Sequence, residues 1–197
     1  MSRITADSDW YQPPLGADQV RHNALLIKQE LMPKGWTILG CAGVAAWARC
    51  LSILNPAYTG TGQMPTGRSG FGLLSFDTSS GFHTALLNYG YSTTSGGGQL
   101  DTLDRYGYNM LVNIGSNDPV YFFNQYIRAN ASGAAYQQVN RLWMYLLSGF
   151  LGDWVSDTYR SMATEYCEEY LELFKNPSPW LYFEMSKRKK GGSKLYL

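Results

Sequence analysis

The chain has 197 residues, of which 45% are hydrophobic, enough for one domain with a sizeable core but too few for two large independent domains. Sixteen Lys and Arg against fifteen Asp and Glu give a formal charge of +1, which excludes a global basic field of the kind that collects nucleic acid. Aromatic residues make up 15% of the chain, a content that suits sugar-stacking surfaces and protein interfaces as well as a core.

The N-terminal residues do not resemble a signal peptide, because no apolar run follows a basic start in residues 1–15. The most apolar segment, Ile38 to Leu54, is interrupted by glycine and arginine and is shorter than the ~20 residues that a membrane span needs. We therefore predict no membrane span. The three cysteines, Cys41, Cys50 and Cys167, lack metal-type spacing and are expected to be reduced core residues.

Two helices are predicted near the N-terminus. The first begins with Asp18 as its N-cap and is stopped by Pro33 and Gly35. Its apolar positions recur at helical spacing: Val20, Ala24, Ile27 and Leu31. Thr37 is expected to cap the second helix, from about Ile38 to Ser52, whose Ala-rich and Gly-rich composition predicts close packing at the centre of the domain.

The chain between Asn55 and Ser80 is rich in Gly, Pro, Thr and Ser, which predicts a long loop with a short hairpin around Gly70 to Phe76. Long loops in compact domains are usually functional. The remaining predicted helices are Gly81–Asn88, Gln99–Arg105, Pro119–Arg128, Ala134–Leu147 and Asp153–Phe174. Ser95–Gly98 is interpreted as a flexible turn and not as a phosphate loop.

The last of these helices has the clearest pattern. One face is predicted to carry the apolar residues Val155, Tyr159, Met162, Tyr166 and Leu173, with Glu165, Glu168 and Glu169 away from it. After Asn176 the chain carries more aromatic residues, and Tyr166, Tyr170, Trp180 and Tyr182 are a candidate interface for an oligomer or a hetero-complex. The basic tail from Lys187 to Lys194 is interpreted as solubilising, with weak nucleic-acid contact as the alternative.

Four short motifs in order resemble those of the phage tail lysozyme family: Gly35-Trp36-Thr37, Ala42-Gly43-Val44, Ser52 followed by Asn55-Pro56, and Gly70-Phe71-Gly72-Leu73-Leu74. The resemblance extends from about Asp18 to Tyr89. It implies a mainly α, lysozyme-like helical domain in which the Gly-rich loop or hairpin flanks a cleft. We accordingly expect an N-terminal extension at 1–17, the lysozyme-like domain at 18–175 and a C-terminal extension at 176–197.

The spacing from Gly43 to Asn55 is that of the family, and this register puts Leu51 at the position of the family's catalytic glutamate. Hydrolysis of a glycosidic bond requires a carboxylic acid that protonates the leaving oxygen, and leucine carries no such proton. Other family positions also differ, with Trp47 in place of Asn and Ala48 in place of Met, and with Ser75 and Phe76 in place of Gln-Trp. The cleft implied by the resemblance is lined by Trp47, Ser52, Asn55, Phe71, Ser75 and Phe76.

A substitute acid is sought among the nearby carboxylates. Asp77 follows the Gly-Phe-Gly-Leu-Leu segment, whereas Glu30, Asp101 and Asp104 are weaker candidates, and a loop-capping role suits Asp77 better than a catalytic one. His22 and His83 have no ligand-type neighbours, so no metal site is predicted, and no cofactor is expected. Ser52 lacks the turn of a nucleophilic serine.

Three functions are compatible with this pattern. The first is a phage virion (tail) component, made in the host cytoplasm, that keeps the lysozyme-like fold without activity and contacts other tail proteins or peptidoglycan. The second is an active peptidoglycan hydrolase that uses Asp77 or an unrecognised acid during genome entry. The third is an internal virion protein that contacts nucleic acid through the 187–194 tail.

Overall fold

A computed structural model describes residues 7–60, 70–78, 81–113 and 157–176. These residues are mainly helical, as predicted, and contain five α-helices and a small three-stranded antiparallel sheet. The predicted helices at 119–128 and 134–147 lie outside the described residues, as does the 177–197 segment. None of the described helices is both long and apolar enough to cross a membrane.

Helix α1 runs from Ala17 to Leu31 and ends in a short 3-10 turn, after which Gly35 adopts a left-handed φ of 92°. The predicted N-cap, Asp18, was wrong: the N-cap is Gly16, whose main-chain N–H donates to the Gln19 side chain at 2.9 Å. The side chain of Gln19, at the third helical position, thus accepts a hydrogen bond from the N–H of the N-cap residue. Asp18 is exposed.

Helix α2 has the predicted bounds, Ile38–Ser52, and the predicted cap, because the Thr37 hydroxyl accepts a hydrogen bond from the Gly40 N–H at 2.9 Å. Residues 40–48 are all buried, so the helix forms the centre of the core. Alanine and glycine allow its neighbours to approach closely on every side.

The predicted hairpin is present as β2 (Gly70–Phe71) and β3 (Phe76–Asp77), and β1 (Thr59–Gly60) adds a third antiparallel strand beside β2. Helix α3, Gly81–Asn88, follows with its predicted bounds. Leu73 and Leu74, in the turn between β2 and β3, are buried and pin the hairpin onto the core.

Helix α4 runs from Gly96 to Asn113, so the prediction of a flexible turn at Ser95–Gly98 was wrong. Three successive glycines are unfavourable in a helix, but here they are buried and the Ser95 hydroxyl accepts a hydrogen bond from the Gly98 N–H at 3.1 Å. Close packing against the Trp10 and Tyr91 rings and the serine cap therefore outweigh the low helix propensity of glycine.

Helix α5 spans Asp157–Lys175, close to the predicted Asp153–Phe174, and packs along α2 more extensively than any other pair of described elements. Of the predicted apolar face, Val155 and the Tyr159 side chain lie outside the described residues. Among the described side chains of α5 the buried face is displaced from the prediction and consists of Ala163, Cys167, Tyr170 and Phe174. Met162, Tyr166 and Leu173 are only partly buried, whereas Glu165, Glu168 and Glu169 are exposed as predicted. The small residues Ala163 and Cys167 allow α5 to approach the Ala-rich α2.

The described part of the N-terminal segment packs on the helical domain. Trp10 is buried, and the Asn23 side chain bonds the main chain of Tyr11 in both directions, accepting from its N–H and donating to its carbonyl, each at 2.9 Å. The Asn23 amide also donates to the Leu54 carbonyl at 3.1 Å, and so joins this segment to the end of α2.

Candidate functional site

The end of α2 is the position to which the resemblance assigns the catalytic acid. Leu51 lies in the last helical turn and is partly buried against the core. The next two residues after Ser52, Ile53 and Leu54, have left-handed φ values of 54° and 58°, which let their N–H groups bond back to the Arg49 and Ala48 carbonyls. Such a conformation costs a non-glycine residue roughly 1–2 kcal/mol, so this helix end is tightly held.

Ser52 and Gln99 hold the β2–β3 turn between them. The Ser52 Oγ lies 2.9 Å from the Ala48 carbonyl oxygen and 2.8 Å from that of Leu73. The Leu73 N–H donates to the Gln99 side chain at 2.8 Å, and the Gln99 amide donates to the Pro56 and Thr93 carbonyls. Ser52 therefore has a structural hydrogen-bonding role, and its hydroxyl is committed to main-chain acceptors.

The side chains assigned to a cleft by the resemblance are mostly inside the protein. The buried ones are Trp47, Ser52, Phe71, Ser75 and Phe76. The Phe76 ring stacks on Phe82 with centroids 3.6 Å apart, and Phe71 packs beside both. Asn55 is partly buried, and its side chain accepts a hydrogen bond from the Ala57 N–H at 2.9 Å. The five buried side chains therefore belong to the interior of the described residues.

Asp77 lies in β3, where it is paired with Gly70 across the ladder. The described part of the structure does not include its side chain, so the proposed loop-capping or catalytic role of Asp77 stays a prediction.

Two of the three weaker carboxylate candidates, Glu30 and Asp101, lie in one buried ionic cluster at the end of α1. The Lys34 ammonium is 3.0 Å from Glu30 and 2.9 Å from Asp101, and all three side chains are buried. Asp101 also accepts from the Tyr91 hydroxyl at 2.9 Å and pairs with Arg105 at 3.0 Å. The Asp104 carboxylate accepts from the Trp36 indole at 2.8 Å.

The charges in this cluster stabilise each other. Burial alone lowers the pKa of Lys34, but the hydrogen bonds to Asp101 and Glu30 and their negative charges outweigh burial and raise that pKa above its ordinary value of 10.5. Carboxylates that share a buried cation are committed to the fold, so the cluster is unsuited to protonating a substrate. The sequence indicates this cluster only through the spacing of four residues between Glu30 and Lys34. Asp101 lies 67 positions from Lys34, so its part in the cluster leaves no local pattern.

Arg49 is the other residue whose role was not predicted. Its guanidinium lies 3.9 Å from the ring centroid of Tyr166 and bonds Glu169 at 2.9 Å and the Tyr170 hydroxyl at 3.2 Å, all on α5. Stacking on aromatic faces and bonding a carboxylate are both favourable for arginine. Arg49 thus fixes α5 to the last turn of α2, directly before Cys50 and Leu51.

The cysteines and histidines of the described residues form no metal cluster. All three cysteines are free thiols, and burial raises the pKa of both Cys41 and Cys50 to about 12, which disfavours the reactive thiolate. The His22 ring lies 2.9 Å from the Asp9 carbonyl oxygen, and the His83 ring packs against Phe71 with centroids 5.2 Å apart.

Comparison with known proteins does not extend these observations: no family model matches the chain, and no curated protein or solved structure is significantly similar to it. The structure therefore defines a coarse class, a mainly helical protein with a small antiparallel sheet.

Proposed function

We propose that this chain is a lysozyme-like component of a phage tail that lacks hydrolytic activity and acts as a packing unit of the virion. The observation that carries the proposal is Leu51. The motif register assigns this position to the acid, and an aliphatic side chain cannot protonate a glycosidic oxygen.

The surroundings of Leu51 support the same interpretation. Trp47, one helical turn earlier on α2, is 1% exposed, and Phe76 on β3 is also 1% exposed. The Ser52 hydroxyl and the Gln99 amide bond the main chain of the turn between β2 and β3 against the end of α2. Two large side chains at positions that the resemblance assigns to the cleft therefore belong to the core, which supports a protein without hydrolytic activity.

Loss of activity without loss of fold is physically reasonable, because the helix pattern determines the core and a few residues determine the chemistry. We expect the partners to be other tail proteins, with peptidoglycan strands as a further contact. The expected location is the virion, after synthesis in the host cytoplasm.

A zymogram on purified peptidoglycan tests the proposal, with an active lysozyme as the positive control. The folded wild-type chain is expected to give no clearing. Clearing by the wild type that Asp77→Asn abolishes would instead favour the active hydrolase, with Asp77 as its acid.

Substitution at the assigned position sharpens the test. Leu51→Glu restores a carboxyl, and Leu51→Gln is the matched control of nearly equal size without an acid. Because Trp47 and Phe76 are buried in the core, we expect both variants to be inactive once circular dichroism has shown that they fold. Activity in Leu51→Glu alone would support the register but would show that a glycan strand still reaches this position.

A further inference from the structure

The start of α4 is a helix N-terminus enclosed by two aromatic rings. Gly96, Gly97 and Gly98 are all buried. A Cβ on Gly96 would lie 2.4 Å from the Trp10 ring, and one on Gly98 would lie 2.5 Å from the Tyr91 ring. The Trp10 and Tyr91 rings therefore approach the main chain at a distance that only glycine permits.

Two main-chain donors at this helix end are not used within the helix. The first main-chain hydrogen bond of α4 runs from the Gln99 N–H to the Ser95 carbonyl at 2.9 Å, and the Ser95 hydroxyl accepts from Gly98. The N–H groups of Gly96 and Gly97 precede these bonds and have no intrahelical acceptor. No acidic residue lies in the first turn, so the positive end of the helix dipole is not balanced there by a carboxylate of its own helix.

The Trp10 indole supplies a third donor at the same place. Trp10 is 3% exposed, and its Nε1 has no hydrogen-bond acceptor among the described residues. A Cβ on Gly96 would stand 2.5 Å from this nitrogen, so the indole N–H lies at the first residue of the helix. A buried donor without an acceptor costs about 1–3 kcal/mol, which favours an acceptor that comes from outside the chain.

We propose that the start of α4 binds an oxyanion, a carboxylate or a phosphate group, through the N–H groups of Gly96 and Gly97 and the indole N–H of Trp10. Helix N-termini favour such ligands because donors and dipole point at the same spot. The loop just before the helix carries Ser92 and Thr94, which are exposed. This inference does not depend on the function proposed for the end of α2.

A proton–nitrogen NMR titration of the full chain tests the site, with phosphate and acetate as separate probes and chloride holding the ionic strength constant. Saturable downfield shifts are expected for the Trp10 indole proton and the Gly96 and Gly97 amide protons. The Trp36 indole, which already donates to Asp104, is the internal reference and should not move. The arm with the tighter binding identifies the oxyanion as phosphate or carboxylate.

Trp10→Phe keeps an aromatic ring but removes the indole donor, and it should weaken binding about tenfold because one charge-assisted hydrogen bond is lost. Trp36→Phe removes an equally buried indole donor elsewhere and should leave the affinity unchanged. No saturable shift with either probe, at concentrations up to tens of millimolar, would overturn the proposal. The wild-type titration decides this even if Trp10→Phe does not fold.

Discussion

Replacing Lys34 with methionine tests the buried ionic cluster most severely. Methionine keeps most of the volume of the side chain and removes the cation that Glu30 and Asp101 share. The side chains of Lys34 and Glu30 are 4% and 0% exposed, so solvent cannot take the place of the ammonium. Removing one member of a buried ion pair typically costs about 3–5 kcal/mol.

We expect a loss of about 3 kcal/mol, at the low end of that range, because Arg105 still contacts Asp101. This corresponds to a decrease in Tm of about 6–12 °C for a chain of this size. The raised pKa of Lys34 means that its contribution is complete below pH 10.5 and is lost only as the pH rises through the higher folded value. The difference between wild type and variant should therefore be large at neutral pH and should narrow as the pH rises above 10.5.

Urea denaturation followed by circular dichroism measures this difference. Lys175→Met is the matched control, since Lys175 pairs with Glu172 at 3.2 Å but both side chains are largely exposed, and it should cost less than about 1 kcal/mol. Glu30→Gln added to Lys34→Met should recover part of the loss. If Lys34→Met costs no more than Lys175→Met, the buried cluster does not stabilise the fold as argued.

Three further changes address other parts of the molecule. Since burial raises the pKa of the Cys41 and Cys50 thiols from 9.0 to about 12, the free energy of unfolding should fall as the pH rises from 9 through 12, and less steeply in Cys50→Ala; equal slopes in urea titrations would contradict this. Gln99→Leu leaves the Leu73 N–H and two carbonyls without this partner and should lower stability by about 2–4 kcal/mol in urea denaturation, whereas an unchanged midpoint would remove its assigned role. Gly96→Ala should lower the free energy of unfolding by about 1–3 kcal/mol, because the added Cβ would meet the Trp10 ring. Gly16→Ala should cost less, since a Cβ there would lie 3.8 Å from its nearest neighbour, and a thermal melt showing the reverse order would refute the packing argument.

Local signals predicted the elements whose ends are set by neighbouring residues. Helix α2 begins after Thr37 because that hydroxyl caps the helix, and this needs only adjacent sequence. The buried face of α5 differs from the predicted stripe because contact with α2 determines it, and it combines small Ala163 and Cys167 with large Tyr170 and Phe174. Tertiary contact thus overrode the apolar pattern.

In the candidate site, too, adjacent residues predict some features and tertiary contacts determine the others. Motif spacing assigned Leu51 to the acid position, but no local pattern indicates that Ser52 and Gln99 bond the same turn from two helices. The helix through Gly96–Gly98 was missed for a related reason: the rings that cover it come from Trp10 and Tyr91, which are outside the helix itself. Contacts over long sequence separations carry most of the site and leave little trace in one sequence.

The most direct test of the central claim is mass spectrometry of the fragments released from purified peptidoglycan by the folded wild-type chain. We predict that no glycan strand is cut, at any pH at which the protein stays folded, because Leu51 cannot donate a proton. Release of muropeptides in amounts proportional to the protein added, with loss of this release when a single carboxylate is replaced by its amide, would contradict it.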